Sequence, residues 1–174
     1  MTSLFRMLAS SNLMLLVIVA IGGHLVDPGG PRRAGFDVLV ILATVYCALV
    51  HSIVYTYFIA AGKYIQSAME DHNLGCESHL VRAKANKKMS FRYVLLAILA
   101  TMTAAFLYYA GNPVRGDGAI SPWWAAAGTY VALAVNIMAI PFEWKYIRAN
   151  SVLTKEVTNG VQQAGQVAPA VKAE

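Results

Sequence analysis

One histidine stands inside a long apolar stretch of this 174-residue chain: His51, with Cys47 four residues before it and Tyr55 four residues after it. An imidazole can ligate a metal or haem iron, pass a proton, or tie helices together by hydrogen bonds. Four-residue spacing puts Tyr55 on the same helical face as His51, with Ser52 and Thr56 beside it. Thr101, Thr103 and Asn136 fall at matching depth in two other apolar stretches. The predicted constellation is therefore a polar layer of His51, Tyr55, Thr101 and Asn136.

Two readings of that layer stay open. In the first, a neutral imidazole donates to Asn136 or a threonine hydroxyl and fixes packing, for about 1 kcal/mol. In the second, the layer holds a proton, ligand or cofactor, since an ionisable group at that depth is costly and marks function by default. Haem b needs a second axial ligand at similar depth. His24 lies too far toward the other end, and only Met102 and Met138 share the level of His51. No bis-histidine pair on two spans supplies the usual haem geometry, although a symmetric oligomer would bring two copies of His51 together. A quinone is the other cofactor that a histidine and tyrosine layer suits.

A second cluster runs from Glu70 to His79. His72, Cys76 and His79 are spaced by four and three residues, which one helical face can gather. With Glu70 or Glu77 they would make a four-ligand zinc or iron site. Gly75 interrupts that face, and no second CxxC or HxxxH pair accompanies it. Cys47 reads as an inert small hydrophobe, and no CxxC motif supports thiol redox work. Glu143 follows Pro141 near the inner end of the last apolar stretch. Pro141 is expected to kink that helix, and Glu143 to pair at the interface with Lys63, Lys145 or Tyr64. Asp27 and Asp37 have Arg32 and Arg33 as partners at the opposite end.

The elements that must position these residues follow from composition. The chain is 57% hydrophobic and 13% charged, about half the charge of a soluble domain. Disorder over most of the length is excluded, and two cysteines exclude a disulfide scaffold. A bilayer core needs about 20 apolar helical residues, and four segments supply them: 7–26, 36–62, 93–111 and 122–146. The first carries Ser10, Ser11 and Asn12 at its start. With Arg6 ahead and Ala20, Gly22 and Gly23 behind, it also resembles a signal peptide, but we read it as a span. Asp27-Pro28-Gly29-Gly30-Pro31 reads as a tight loop, Gly111-Asn112-Pro113 as a helix stop, and Ser121-Pro122 as a helix start. No alternating strand pattern suggests a barrel.

Eleven of the 14 lysines and arginines fall on one side of a four-span topology: Arg6, the middle segment from Lys63 to Arg92, and the carboxyl end. The positive-inside bias places that side, with both termini, in the cytoplasm, and the membrane is expected to be a bacterial-type inner one. Net charge of +5 then reflects this bias and attraction to anionic headgroups rather than nucleic-acid binding, for which no motif is present. Trp123, Trp124, Trp144, Tyr146, Tyr108 and Tyr109 sit where aromatic belts sit. The second helix should run on to about His72, with Val81 to Ser90 as a second helical piece, so that 63–92 forms a basic cytoplasmic hairpin. Small residues Ala100, Ala104, Ala105, Ala125, Gly128 and Ala132 suit close helix contact, within the bundle or with another subunit. The polar tail 159–174 has a composition that stays disordered unless a partner orders it.

The expected fold is an all-α integral membrane protein, four transmembrane helices in an up-down bundle over residues 1–158, with its long second helix entering the hairpin. The expected function is that of a non-enzymatic accessory or structural subunit of a larger membrane complex, with lipid and other subunits or a second copy as partners. Its alternative is electron or proton transfer at His51 with haem or quinone. No motif is specific enough to indicate catalytic residues.

Overall fold

The computed structural model describes residues 2–27, 30–72, 77–111 and 121–171. It is all-helical, with four helices: α1 (Thr2–Leu25), α2 (Arg33–His72), α3 (Glu77–Ala110) and α4 (Pro122–Val171). Each contains a stretch long and apolar enough to cross a membrane. Helices α1 and α3 each pack on both α2 and α4, α2 also touches α4, and the α3–α4 contact is the most extensive. At 1.5 Å per residue, the 40 residues of α2 span about 60 Å, well beyond the roughly 30 Å of a hydrocarbon core.

The local signals that start and stop these helices act as their chemistry requires. Gly30 N–H donates to Asp27 O (3.1 Å), and Arg33 N–H donates to Gly30 O (3.1 Å), turning the chain from α1 into α2. Helix α4 begins directly after Ser121, where the missing N–H of Pro122 is no loss. Gly111 N–H donates to Leu107 O (2.9 Å) as α3 ends. Pro28, Gly29, Asn112 and Pro113 lie outside the described residues.

The hairpin's second helical piece leads into the third span: α3 is continuous from Glu77 through Ser90 into the apolar stretch. One expectation needs correction: α4 continues through Pro141 and through the tail expected to be disordered, as far as Val171. An apolar stripe carries α4 from its basic stretch into the first turn of that tail. Leu153, Val157 and Val161 recur every four residues, on one helical face. Leu153 and Val157 are buried with Ile65 and Ala68 of α2 and Ala83 of α3, and Val161 packs against them. Three helices therefore leave the apolar zone together, around an apolar core of their own.

Within the apolar zone the packing is layered. Val19, Phe36, Val40 and Ala43 form one apolar layer toward the α1–α2 turn. Phe5, Ala9, Val54, Phe58, Val94 and Ile147 form another toward the opposite end. Large apolar side chains are exposed on the outside, among them Met14, Leu42, Leu99, Met102, Phe106 and Met138, while Asn12, His51, Asn136 and Glu143 are fully buried between the two apolar layers. That arrangement suits helices long and apolar enough to cross a membrane, because lipid leaves exposed apolar side chains at no cost while polar groups must find partners inside.

The small residues on α3 and α4 serve the bundle itself. A Cβ on Gly128 would lie 2.8 Å from Leu107 Cδ1 and 3.5 Å from Ala104 Cα. Gly128→Val should therefore push α3 from α4 and cost about 1–3 kcal/mol, read as a lower midpoint of thermal unfolding in micelles. Gly128→Ala should cost less, because only the end of the Leu107 side chain must swing aside, and adding Leu107→Ala should recover part of the valine loss. Equal midpoints for all three proteins would contradict this contact.

Candidate functional site

The polar layer lies between the two apolar layers, and its hub is Asn136. The face of α4 that carries it also carries Glu143 seven residues on, two helical turns away. Asn136 Nδ2 donates to Ala132 O (2.8 Å) and to Thr101 Oγ1 (3.1 Å). Thr101 spends its own hydrogen on Ala97 O (2.9 Å). Both neighbours of Nδ2 are thus acceptors, which orients the amide and turns its Oδ1 the other way.

Three donors converge on that oxygen. His51 Nε2 lies 3.0 Å from it, Asn12 Nδ2 3.4 Å and the Cys47 thiol 3.4 Å. Cys47 Sγ is also 3.3 Å from Thr101 Oγ1. Asn12, Cys47 and His51, Thr101 and Asn136 come from α1, α2, α3 and α4 respectively, so one amide ties all four helices together. An oxygen that only accepts requires His51 Nε2 to carry a hydrogen.

The other ring nitrogen then has a defined role. His51 Nδ1 is 2.7 Å from Glu143 Oε1, with both side chains fully buried. A contact of that length between a ring nitrogen and a carboxyl oxygen needs one hydrogen between them. Whether that hydrogen sits on nitrogen, as imidazolium and carboxylate, or on oxygen, as imidazole and carboxylic acid, the pair is neutral overall. An isolated charge at this depth would cost several kcal/mol, so the pair shares a single hydrogen and carries no net charge. Glu143 Oε2 makes no hydrogen bond to protein.

Of the four residues expected in the layer, His51, Thr101 and Asn136 meet and Tyr55 does not. Its ring packs on Phe91 with centroids 5.1 Å apart, and the Lys87 ammonium lies 5.4 Å from its centre. A four-residue step overshoots a full helical turn by about 40°, enough to move Tyr55 from the core to the α3 flank. Thr103, Ser52 and Thr56 are exposed. Glu143 is not at the interface: Tyr64 instead bonds Thr158 (2.8 Å), and Lys145 and Lys63 are exposed. Cys47 belongs to the network rather than standing apart as an inert filler. Asn12, read only as a weakness of the first span, is its α1 contact. The spacing Asn12-Leu16 and Asn136-Glu143, each on the buried face of its helix, is the signal that finds both residues.

This geometry bears on cofactors. Axial ligation of haem iron needs a free imidazole nitrogen, and both nitrogens of His51 are engaged within the chain. Met102 and Met138 point outward and are about half exposed. With Tyr55 turned toward Phe91, the histidine and tyrosine pair that would flank a quinone at this level is not assembled. The second cluster is only partly described. Cys76 and the side chain of His72 lie outside the described residues. His79 Nε2 pairs with Glu156 Oε2 of α4 at 3.2 Å. Among the described residues no three histidine, cysteine, aspartate or glutamate side chains gather as a metal site.

At the opposite end, Arg33 Nε lies 3.2 Å from Asp37 Oδ1, as expected of these neighbours, and Tyr108 donates to the same oxygen (2.7 Å). His24 Nε2 and the Tyr130 hydroxyl are 2.7 Å apart, joining α1 to α4. Comparison of the chain with protein-family models, curated proteins and solved structures finds no match.

Removing one member of the buried pair strands the other. His51→Leu should destabilise the bundle by about 3 kcal/mol, and Asn12→Leu, whose bond is long, by about 1 kcal/mol or less. The double variant His51→Leu/Glu143→Leu should be more stable than His51→Leu alone, because neither polar group remains unpaired. Equilibrium unfolding in mixed micelles measures all three. A double variant less stable than His51→Leu alone would contradict the pairing.

Proposed function

We propose that this protein is a membrane-embedded accessory subunit that holds a rigid helical extension on the cytoplasmic side as a platform for a larger complex. The observation that carries this reading is the extension itself. The ends of α2 and α4 and the start of α3 pack around Ile65, Ala83, Leu153 and Val157, beyond the apolar spans. A short loop would serve if the helices merely had to turn round. Cross-links such as Tyr64 to Thr158 and His79 to Glu156 stiffen the assembly further. Its exterior carries exposed Lys63, Arg82, Lys84, Lys88, Arg92 and Lys155, which suits an acidic protein surface. The positive-inside rule puts this basic end in the cytoplasm. A polar core that satisfies His51 within the chain supports a scaffold better than a site awaiting a cofactor.

A second reading has one observation behind it: the 2.7 Å contact between His51 Nδ1 and Glu143 Oε1, beside a carboxyl oxygen with no protein partner. It would make the pair a relay for protons. Proton uptake by vesicles carrying the wild type, absent with Glu143→Gln, would favour that reading over the scaffold.

Cross-linking in native membranes followed by purification in mild detergent tests the platform. The expected result is a defined heteromeric assembly that Arg82→Glu/Lys84→Glu/Lys88→Glu disrupts while helical content and thermal midpoint stay within error. A chain that remains alone after cross-linking would contradict the proposal.

A further inference from the structure

A cavity of about 320 Å³ lies at the end of the bundle that carries the α1–α2 turn, and residues of all four helices line it. Small side chains make the room: Ala20, Gly23, Gly111, Ala125 and Ala126 stand where larger ones would close it. The volume falls at the lower end of the roughly 300–1,000 Å³ typical of ligand sites, enough for one substituted ring. It is remote from the His51 layer, and the platform reading makes no use of it.

The chemistry of the walls narrows the ligand. The floor is apolar, with Val19, Ala20 and Phe36. The rim is polar and aromatic: His24 and Tyr130 stack with ring centroids 5.7 Å apart and planes 24° apart. In their 2.7 Å hydrogen bond one group donates and the other accepts. If the tyrosine donates, the second imidazole nitrogen keeps its hydrogen; if the imidazole donates, the tyrosine hydroxyl keeps its own. One donor therefore remains in either case. The Arg33 guanidinium, held over the Tyr108 ring at 4.7 Å, supplies more. Its charge is answered by Asp37 at 3.2 Å, and Asp27 adds a negative group to the lining. The cavity thus offers donors without a net positive charge, which disfavours phosphate. Its apolar floor, at the end of helices long and apolar enough to span a membrane, suits a ligand that partitions into lipid.

We infer that this cavity binds a flat, uncharged, membrane-soluble dicarbonyl compound of the quinone class, one carbonyl oxygen accepting from the His24–Tyr130 pair and the other from Arg33. The ring lies between Phe36 and the aromatic rim, and the tail leaves into lipid. This site is distinct from the histidine and tyrosine layer that the sequence alone suggested for such a ligand.

The test is titration of the full chain, in nanodiscs of synthetic phosphatidylcholine, with a short-chain ubiquinone analogue. The expected result is saturable binding of one molecule per chain. Ala126→Leu, which fills the cavity, should abolish saturation. His24→Phe/Tyr130→Phe, which keeps two rings and removes both donors of that pair, should weaken binding about five-fold, the effect of one hydrogen bond. Met102→Leu on the lipid-facing side should bind as the wild type does, and circular dichroism should confirm equal helix content throughout. Non-saturable partitioning by the wild type would overturn the inference. So would unchanged affinity in a folded Ala126→Leu protein, or displacement of the quinone by inorganic phosphate or phosphatidylglycerol. None of these outcomes depends on whether the cytoplasmic extension finds a partner.

Discussion

The interior of this bundle is organised by the side-chain amide of Asn136. Its Nδ2 is committed to two acceptors, Ala132 O and Thr101 Oγ1, so its Oδ1 can only accept from the other side. That constraint sets the tautomer of His51, and the tautomer in turn makes Glu143 share a proton with Nδ1. A single amide orientation thus fixes the contacts of all four helices and the protonation of the two buried titratable groups. In lipid, apolar side chains gain little by leaving the bilayer, so directional bonds of this kind carry the specificity that a hydrophobic core supplies in water.

The same logic explains why the chain uses two kinds of core. Inside the apolar zone a polar layer lies between two apolar ones and the outside is apolar. Beyond it, where water returns, the extension buries Ile65, Ala68, Ala83, Leu153 and Val157 and exposes lysines and arginines. Helices α2, α3 and α4 pass through both regimes without a break, each keeping one face inward while the chemistry of that face changes from His51 to Ile65, Thr101 to Ala83 and Asn136 to Leu153. A continuous helix transmits position rigidly over this distance, which is what a platform needs. The cavity at the other end arises from small residues and an aromatic rim contributed by all four helices.

Much of the architecture was legible in the sequence. Four apolar stretches, the turn residues around Gly30 and Ser121, and the outward length of α2 led directly to the four helices found. His51, Thr101 and Asn136 were found by counting depth along each span. Depth alone does not report rotation, and there the reading failed. Tyr55 shares the depth and roughly the side of His51, yet the 40° step turns it onto Phe91. Glu143 was assigned by its nearness to basic residues at the interface, whereas its seven-residue separation from Asn136 places it on the buried face. The tail's small polar residues carry no helix signal of their own, and Val161, four residues after the buried Val157, is what ties its first turn to the stripe above it. The outer cavity needed residues from four helices that sequence separation does not bring together.

The central claim is that the buried pair is neutral and holds one proton, with Nε2 of His51 permanently protonated by its bond to Asn136. Solid-state NMR of the chain in lipid, with ¹⁵N-labelled histidine and ¹³C-labelled glutamate, reads this directly. The account predicts a directly bonded hydrogen on Nε2 and a through-space correlation from Nδ1 of the same ring to the Glu143 carboxyl carbon. A His51 ring whose Nε2 carries no hydrogen, or a Glu143 carboxyl with no correlation to that ring, would contradict it.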